Sequence, residues 1–139
     1  MLAALARRYA RALLALAMAA IGVMHFVRPL PFERIVPGWL PAPHALVLVS
    51  GAAEIALAAA LLFPRLRRLA SFGLVALFVA VFPANIHMAV HRIQLEPDST
   101  LPTWAMWARL PLQLVFVAWA LWVGREDARR SHPRHSHPG

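Results

Sequence analysis

Leu69–His91 reads LASFGLVALFVAVFPANIHMAVH and contains no Asp, Glu, Lys or Arg. As a helix it would rise about 35 Å at ~1.5 Å per residue, enough to cross the ~30 Å hydrocarbon core of a bilayer. Three more runs are of similar length and apolarity, each with a single charged residue: roughly Tyr9–Phe26 (Arg11), His44–Phe63 (Glu54) and Thr103–Val123 (Arg109). The chain is 60% hydrophobic and only 14% charged, with a mean hydropathy of +0.61. The expected fold is therefore an all-α membrane protein: a four-transmembrane-helix bundle over residues 1–123, with spans at about 9–26, 44–63, 69–91 and 103–123. Residues 124–139 read as a disordered, basic, His-containing cytoplasmic tail. No room remains for a soluble catalytic domain.

The basic residues set the orientation. All 14 are arginine, and the formal charge is +8. Arg7, Arg8, Arg11, Arg65, Arg67, Arg68, Arg125, Arg129, Arg130 and Arg134 fall on one side of the spans. Arg28, Arg34, Arg92 and Arg109 fall on the other. The positive-inside rule then places both termini and the Pro64–Arg68 turn in the cytoplasm of a bacterial inner membrane. Arginines flanking spans face anionic lipid, so the high pI calls for no nucleic acid. The first span resembles a signal peptide up to Ala17-Met18-Ala19. Its apolar run continues through Phe26, which favours an uncleaved span. No cysteine is present, so thiol redox, sulfur transfer and iron–sulfur ligation would have to belong to a partner.

The connections differ in kind. Val27–Pro43 carries Pro29, Pro31, Pro37, Pro41 and Pro43 among Phe32, Ile35, Val36, Trp39 and Leu40. Proline forbids a long helix here, and the apolar content predicts a short proline-rich cap lying in the interface. His91–Pro102 reads as an ordinary solvated loop. Ala52, Ala56 and Ala60 form a small-residue stripe expected to admit a close neighbouring helix. Trp104 and Trp107, then Trp119 and Trp122, mark the two interfaces of span four.

Polar residues inside spans are functional candidates by default, because burial in lipid is costly. With spans starting at His44 and Thr103, Ser50 and Arg109 lie ~9 Å deep, and Glu54 and Gln113 ~15 Å. Counted from His91, Asn85 is ~9 Å deep and His87 ~6 Å; His25 is near the outer end of span one. The natural pairing is Glu54 with Arg109, with Asn85 and Gln113 adding amide hydrogen bonds. Pro83 and Pro111 free the carbonyls of Val79 and Trp107 beside this layer. The inner half is apolar except for Ser71, which describes a pocket open to the outside rather than a conduit. Three readings stand open: a structural lock, a ligand pocket, and proton-coupled chemistry. His87 and His91, four residues apart, have the spacing of a metal or haem pair, but no second pair lies at their depth and no metal is expected. His132, His135 and His137 are read as part of the solvated tail.

These residues also fall in motifs. Gly22-x-x-His25-Phe26 with Pro29, Phe32, Ile35-Val36-Pro37 through Leu40-Pro41, Ser50-Gly51-x-x-Glu54, Phe82-Pro83-Ala84-Asn85-Ile86-x-Met88-Ala89 and Arg109-Leu110-Pro111-Leu112-Gln113 occur in order. In this set the chain resembles the DoxX family of small bacterial membrane proteins. The resemblance implies a four-helix bundle and, in some relatives, association with quinone-linked sulfur oxidation or oxidative-stress enzymes. The expected role is a non-catalytic accessory or anchor subunit, with a redox-enzyme partner or a second copy of the chain beside it. A quinone suits the pocket of His25, Ser50, Glu54, Asn85, His87, Arg109 and Gln113, since its carbonyls would accept hydrogen bonds and its tail would lie among apolar helices. The alternatives are a structural or stress-related membrane protein without a ligand and, less well supported, a small-solute transporter.

Overall fold

A computed structural model describes residues 1–98 and 100–125. The expected tail, including its three histidines, lies almost wholly outside the described residues. Five helices and no strand occur among those residues: α1 (Leu2–Val27), α2 (Leu30–Glu33), α3 (Pro43–Leu62), α4 (Arg67–His91) and α5 (Thr103–Gly124). All but α2 are long and apolar enough to cross a membrane, giving a multi-pass, four-helix membrane bundle.

Helix α1 begins seven residues before the expected boundary, so Arg7, Arg8 and Arg11 are helical. Its 26 residues span about 39 Å, which carries the first turns beyond the hydrocarbon. Pro43 opens α3 at a position where its missing N–H costs nothing. α4 and α5 run through Pro83 and Pro111 without breaking.

The helices form a ring. α1 packs along α3, α3 against α4, and α4 along α5, while α1 closes on α5 more sparsely and α3 and α5 sit diagonally, hardly touching. On α1 the buried residues are Arg11, Leu14, Ala15, Met18, Gly22 and His25; on α3 they are Val47, Gly51, Glu54, Ala58 and Leu61. Steps of three and four give both seams the period of a left-handed coiled coil. The closest approach lies where Gly22 faces Gly51: a methyl group at Gly51 would stand 2.9 Å from the Gly22 carbonyl oxygen. The expected alanine stripe is not this seam. Ala52 and Ala56 are exposed and Ala60 is half-buried, because the seam follows the glycine that lets the backbones meet, one residue away.

In the orientation expected from the arginines, the main core fills the inner half, nearer the Pro64–Arg68 turn, with Leu14, Met18, Leu61, Leu74, Phe78 and Val123 at its centre. Ser71 donates to the Ala120 carbonyl at 2.7 Å, so its hydroxyl is satisfied. A smaller cluster of Ile35, Met88, Ala89 and Met106 closes the outer end. The 91–102 connection departs from the expected solvated loop. Its Gln94 amide bonds the Leu101 backbone in both directions, at 3.2 and 2.9 Å, and Ile93, Leu95 and Leu101 pack on the outer cluster. Glu96 meets Arg28 at 2.8 Å, and Arg34 donates to the Leu95 carbonyl at 3.1 Å. Both outer connections therefore form one cap, which binds this apolar loop down rather than leaving it in water.

Candidate functional site

The seven candidate residues separate into two clusters and two outliers. On the α1–α3 seam, Nδ1 of His25 lies 2.8 Å from the Ile21 carbonyl oxygen and 3.3 Å from Oε2 of Glu54. A ring nitrogen facing a carbonyl must carry the hydrogen, so Nδ1–H donates to Ile21 and leans towards the carboxylate. His25 and Glu54 are each 7% exposed. Phe32, from α2, stacks on the imidazole with ring centres 3.9 Å apart and planes 21° from parallel. Among the described residues, Glu54 Oε2 is buried and makes no hydrogen bond, which is a costly state for a carboxylate unless something further reaches it.

The second cluster joins α4 to α5. Asn85 Nδ2 donates to Gln113 Oε1 at 2.7 Å, so the two amides bond each other instead of supporting the expected Glu54–Arg109 pair. Gln113 Nε2 in turn donates to the Phe78 carbonyl, one residue before the Val79 carbonyl that Pro83 leaves without a donor. The Gln113 side chain is thus engaged at both ends and buried. Arg109, one turn nearer the outer end, reaches only the Met88 sulfur among the described residues, at 3.4 Å. A thioether is a weak acceptor for a group with five donors.

The expected Glu54–Arg109 pair does not form. Glu54 faces α1 from the α3 seam, whereas Arg109 belongs to α5, diagonally across the ring. Ser50 also stands apart, donating to Val47 of its own helix at 2.9 Å. His87 serves the cap, with Nδ1 3.1 Å from the Ile35 carbonyl oxygen. No group of three or more His, Cys, Asp or Glu side chains able to hold a metal occurs among the described residues. Two open surface grooves lie away from Glu54. One groove of about 510 Å³ runs along the Phe63–Leu66 turn, and another of about 330 Å³ lies between the cap and the outer end of α4.

Sequence reasoning misses two participants. Phe32 reads there only as part of an apolar loop. Arg11 counts there as a flanking charge, yet it is 5% exposed and its Nε donates to the Val123 carbonyl at 3.0 Å. It thereby satisfies the C-terminal end of α5, where helix carbonyls lack partners and attract cations. The available signal is its register: Arg11, Leu14, Met18, Gly22 and His25 share one seam.

Residues 14–124 match the family described as a domain of unknown function (DUF8561), and the chain belongs to that family. No curated protein and no solved structure matches it.

Proposed function

We propose that the protein is a DoxX-like, non-catalytic accessory or anchor subunit of a quinone-linked redox or oxidative-stress assembly in the bacterial inner membrane. In this reading His25, Glu54 and Arg109 hold the head group of a quinone-type lipid. One observation carries it: the polar groups are unevenly satisfied. Asn85 and Gln113 close on each other and on Phe78, as a structural lock does. Among the described residues, Glu54 Oε2 is buried without a hydrogen bond, and Arg109 has a sulfur for its partner. A quinone or quinol offers both oxygen acceptors and hydroxyl donors on an apolar body, which complements a carboxylate–imidazole pair and a guanidinium. The apolar inner core argues against a through route for solutes. With no cysteine in the chain, electrons would pass between the ligand and a partner enzyme.

A second reading, a structural bundle without a ligand, draws on the grooves lying away from Glu54. Solvent extraction and mass spectrometry of protein purified from native membranes separates the two. The expected result is a near-stoichiometric quinone that falls at least tenfold in Glu54→Gln and Arg109→Gln. Quinone-free protein of normal stability would leave the structural reading in its place.

A further inference from the structure

His87 and His91 stand at the edge of the groove between the cap and α4, close to Pro37 and Trp39. Nδ1 of His87 lies 3.1 Å from the Ile35 carbonyl oxygen, and Nδ1 of His91 lies 3.0 Å from the His87 carbonyl oxygen. Each Nδ1 must therefore carry the hydrogen, which leaves each Nε2 with a lone pair. This is the arrangement in which histidines bind metals: one nitrogen tied to a backbone carbonyl, the other presented to the ion. Neither Nε2 has a hydrogen-bond partner among the described residues.

The ring spacing is also compatible with a shared ion. An ion ~2.0–2.1 Å from each Nε2 would lie about 3.2 Å from each ring centre, so two rings bound at right angles stand about 4.5 Å apart and two in a tetrahedral site about 5.2 Å. The observed separation is 4.4 Å, with the planes inclined at 50°. We propose that His87 and His91 form a cis bis-histidine site for a square-planar or octahedral divalent transition metal, Cu²⁺ before Ni²⁺, on the outer face of the protein. Two imidazoles in one plane suit these ions, and Cu²⁺ binds such nitrogen sites tightest of the divalent series. Water completes the coordination, since no third His, Cys, Asp or Glu joins the pair among the described residues. The site bears on the cap: metallation of Nε2 strengthens Nδ1–H as a donor, which tightens the bond from His87 to Ile35. It is independent of the ligand reading at Glu54.

The test uses the full chain in detergent, purified through a tag without histidine. His132, His135 and His137 are changed to alanine so that the tail does not compete. Titration with Cu²⁺ should show one site, and the electron paramagnetic resonance spectrum should carry the splitting of two imidazole nitrogens. His91→Ala should weaken binding at least tenfold and leave one nitrogen, while His44→Ala should change neither. Because His87 also holds the cap, substitution of the exposed His91 is the deciding variant, with His87→Ala as support. Undiminished binding in His91→Ala, a one-nitrogen spectrum in the parent, or no binding by the parent would each overturn the proposal.

Discussion

Gly51→Ala tests whether the α1–α3 seam is as close as the structure draws it. The added methyl would stand 2.6 Å from Cβ of His25 and 2.9 Å from the Gly22 carbonyl oxygen. Carbon atoms in contact prefer about 3.5–4.0 Å, so the seam must open by about 1 Å. Neither neighbour can rotate away, because one is main chain and the other is a Cβ. Within the bilayer, packing of this kind takes the place of a hydrophobic drive between helices. Overpacking costs about 1–3 kcal/mol, and two contacts this short argue for the upper end. Alanine returns about 1 kcal/mol through its helix propensity. The net loss is about 2 kcal/mol, or roughly 30-fold in the folding equilibrium. Gly38→Ala is the control, since a methyl there meets nothing within 4 Å.

Equilibrium unfolding in mixed micelles, with SDS as denaturant, measures both variants on one scale. Gly22→Ala should behave like Gly51→Ala, its methyl lying 2.8 Å from the Gly51 carbonyl oxygen. The double variant should lose less than the sum of the two, because a seam opened once admits the second methyl at lower cost. The same displacement separates His25 from Glu54, so on the proposed quinone reading the copurified quinone should fall along with stability. Gly51→Ala as stable as Gly38→Ala within about 0.5 kcal/mol, or strict additivity of the two glycine variants, would refute a backbone-limited seam.

Gln113→Ala should cost about 1–3 kcal/mol, since it strips the partner from both Asn85 and the Phe78 carbonyl, whereas Asn85→Ala should cost less because Gln113 keeps Phe78; equal losses in the same unfolding assay would contradict the lock. A reporter fused after Gly139, or inserted in the Pro64–Arg68 turn, should be active only as a cytoplasmic fusion; periplasmic activity at either point would reverse the orientation drawn from the arginines.

The number and position of the spans are legible in the sequence because about twenty apolar residues with at most one charge among them have few other uses. The proline-rich cap is legible for a similar reason: it is too apolar for water and too rich in proline for a long helix, and it forms a single turn at Leu30–Glu33 with Ile35 buried beside it. Asn85 and Gln113 are legible as buried amides, but depth does not pair them: helix rise sets Asn85 ~9 Å and Gln113 ~15 Å deep, and they meet because α4 and α5 pack along each other and the side chains reach across that offset. Glu54 and Arg109 cannot be placed by depth either. Helix rise fixes how deep a residue sits, and an i,i+4 partner fixes its direction on its own helix, but neither says which neighbour lies in that direction. The ring order decides that. α3 lies between α1 and α4, and its seam faces α1 at Gly51, so Glu54 meets His25 and not α5. His25 and Glu54 are therefore both legible as candidates, while their pairing depends on Gly22 and Gly51, two residues with no side chain to attract notice. The two glycines bring the backbones together, and that contact places a carboxylate and an imidazole side by side below Phe32. The site is thus a consequence of the seam, which is why the methyl at Gly51 tests the packing and the chemistry together.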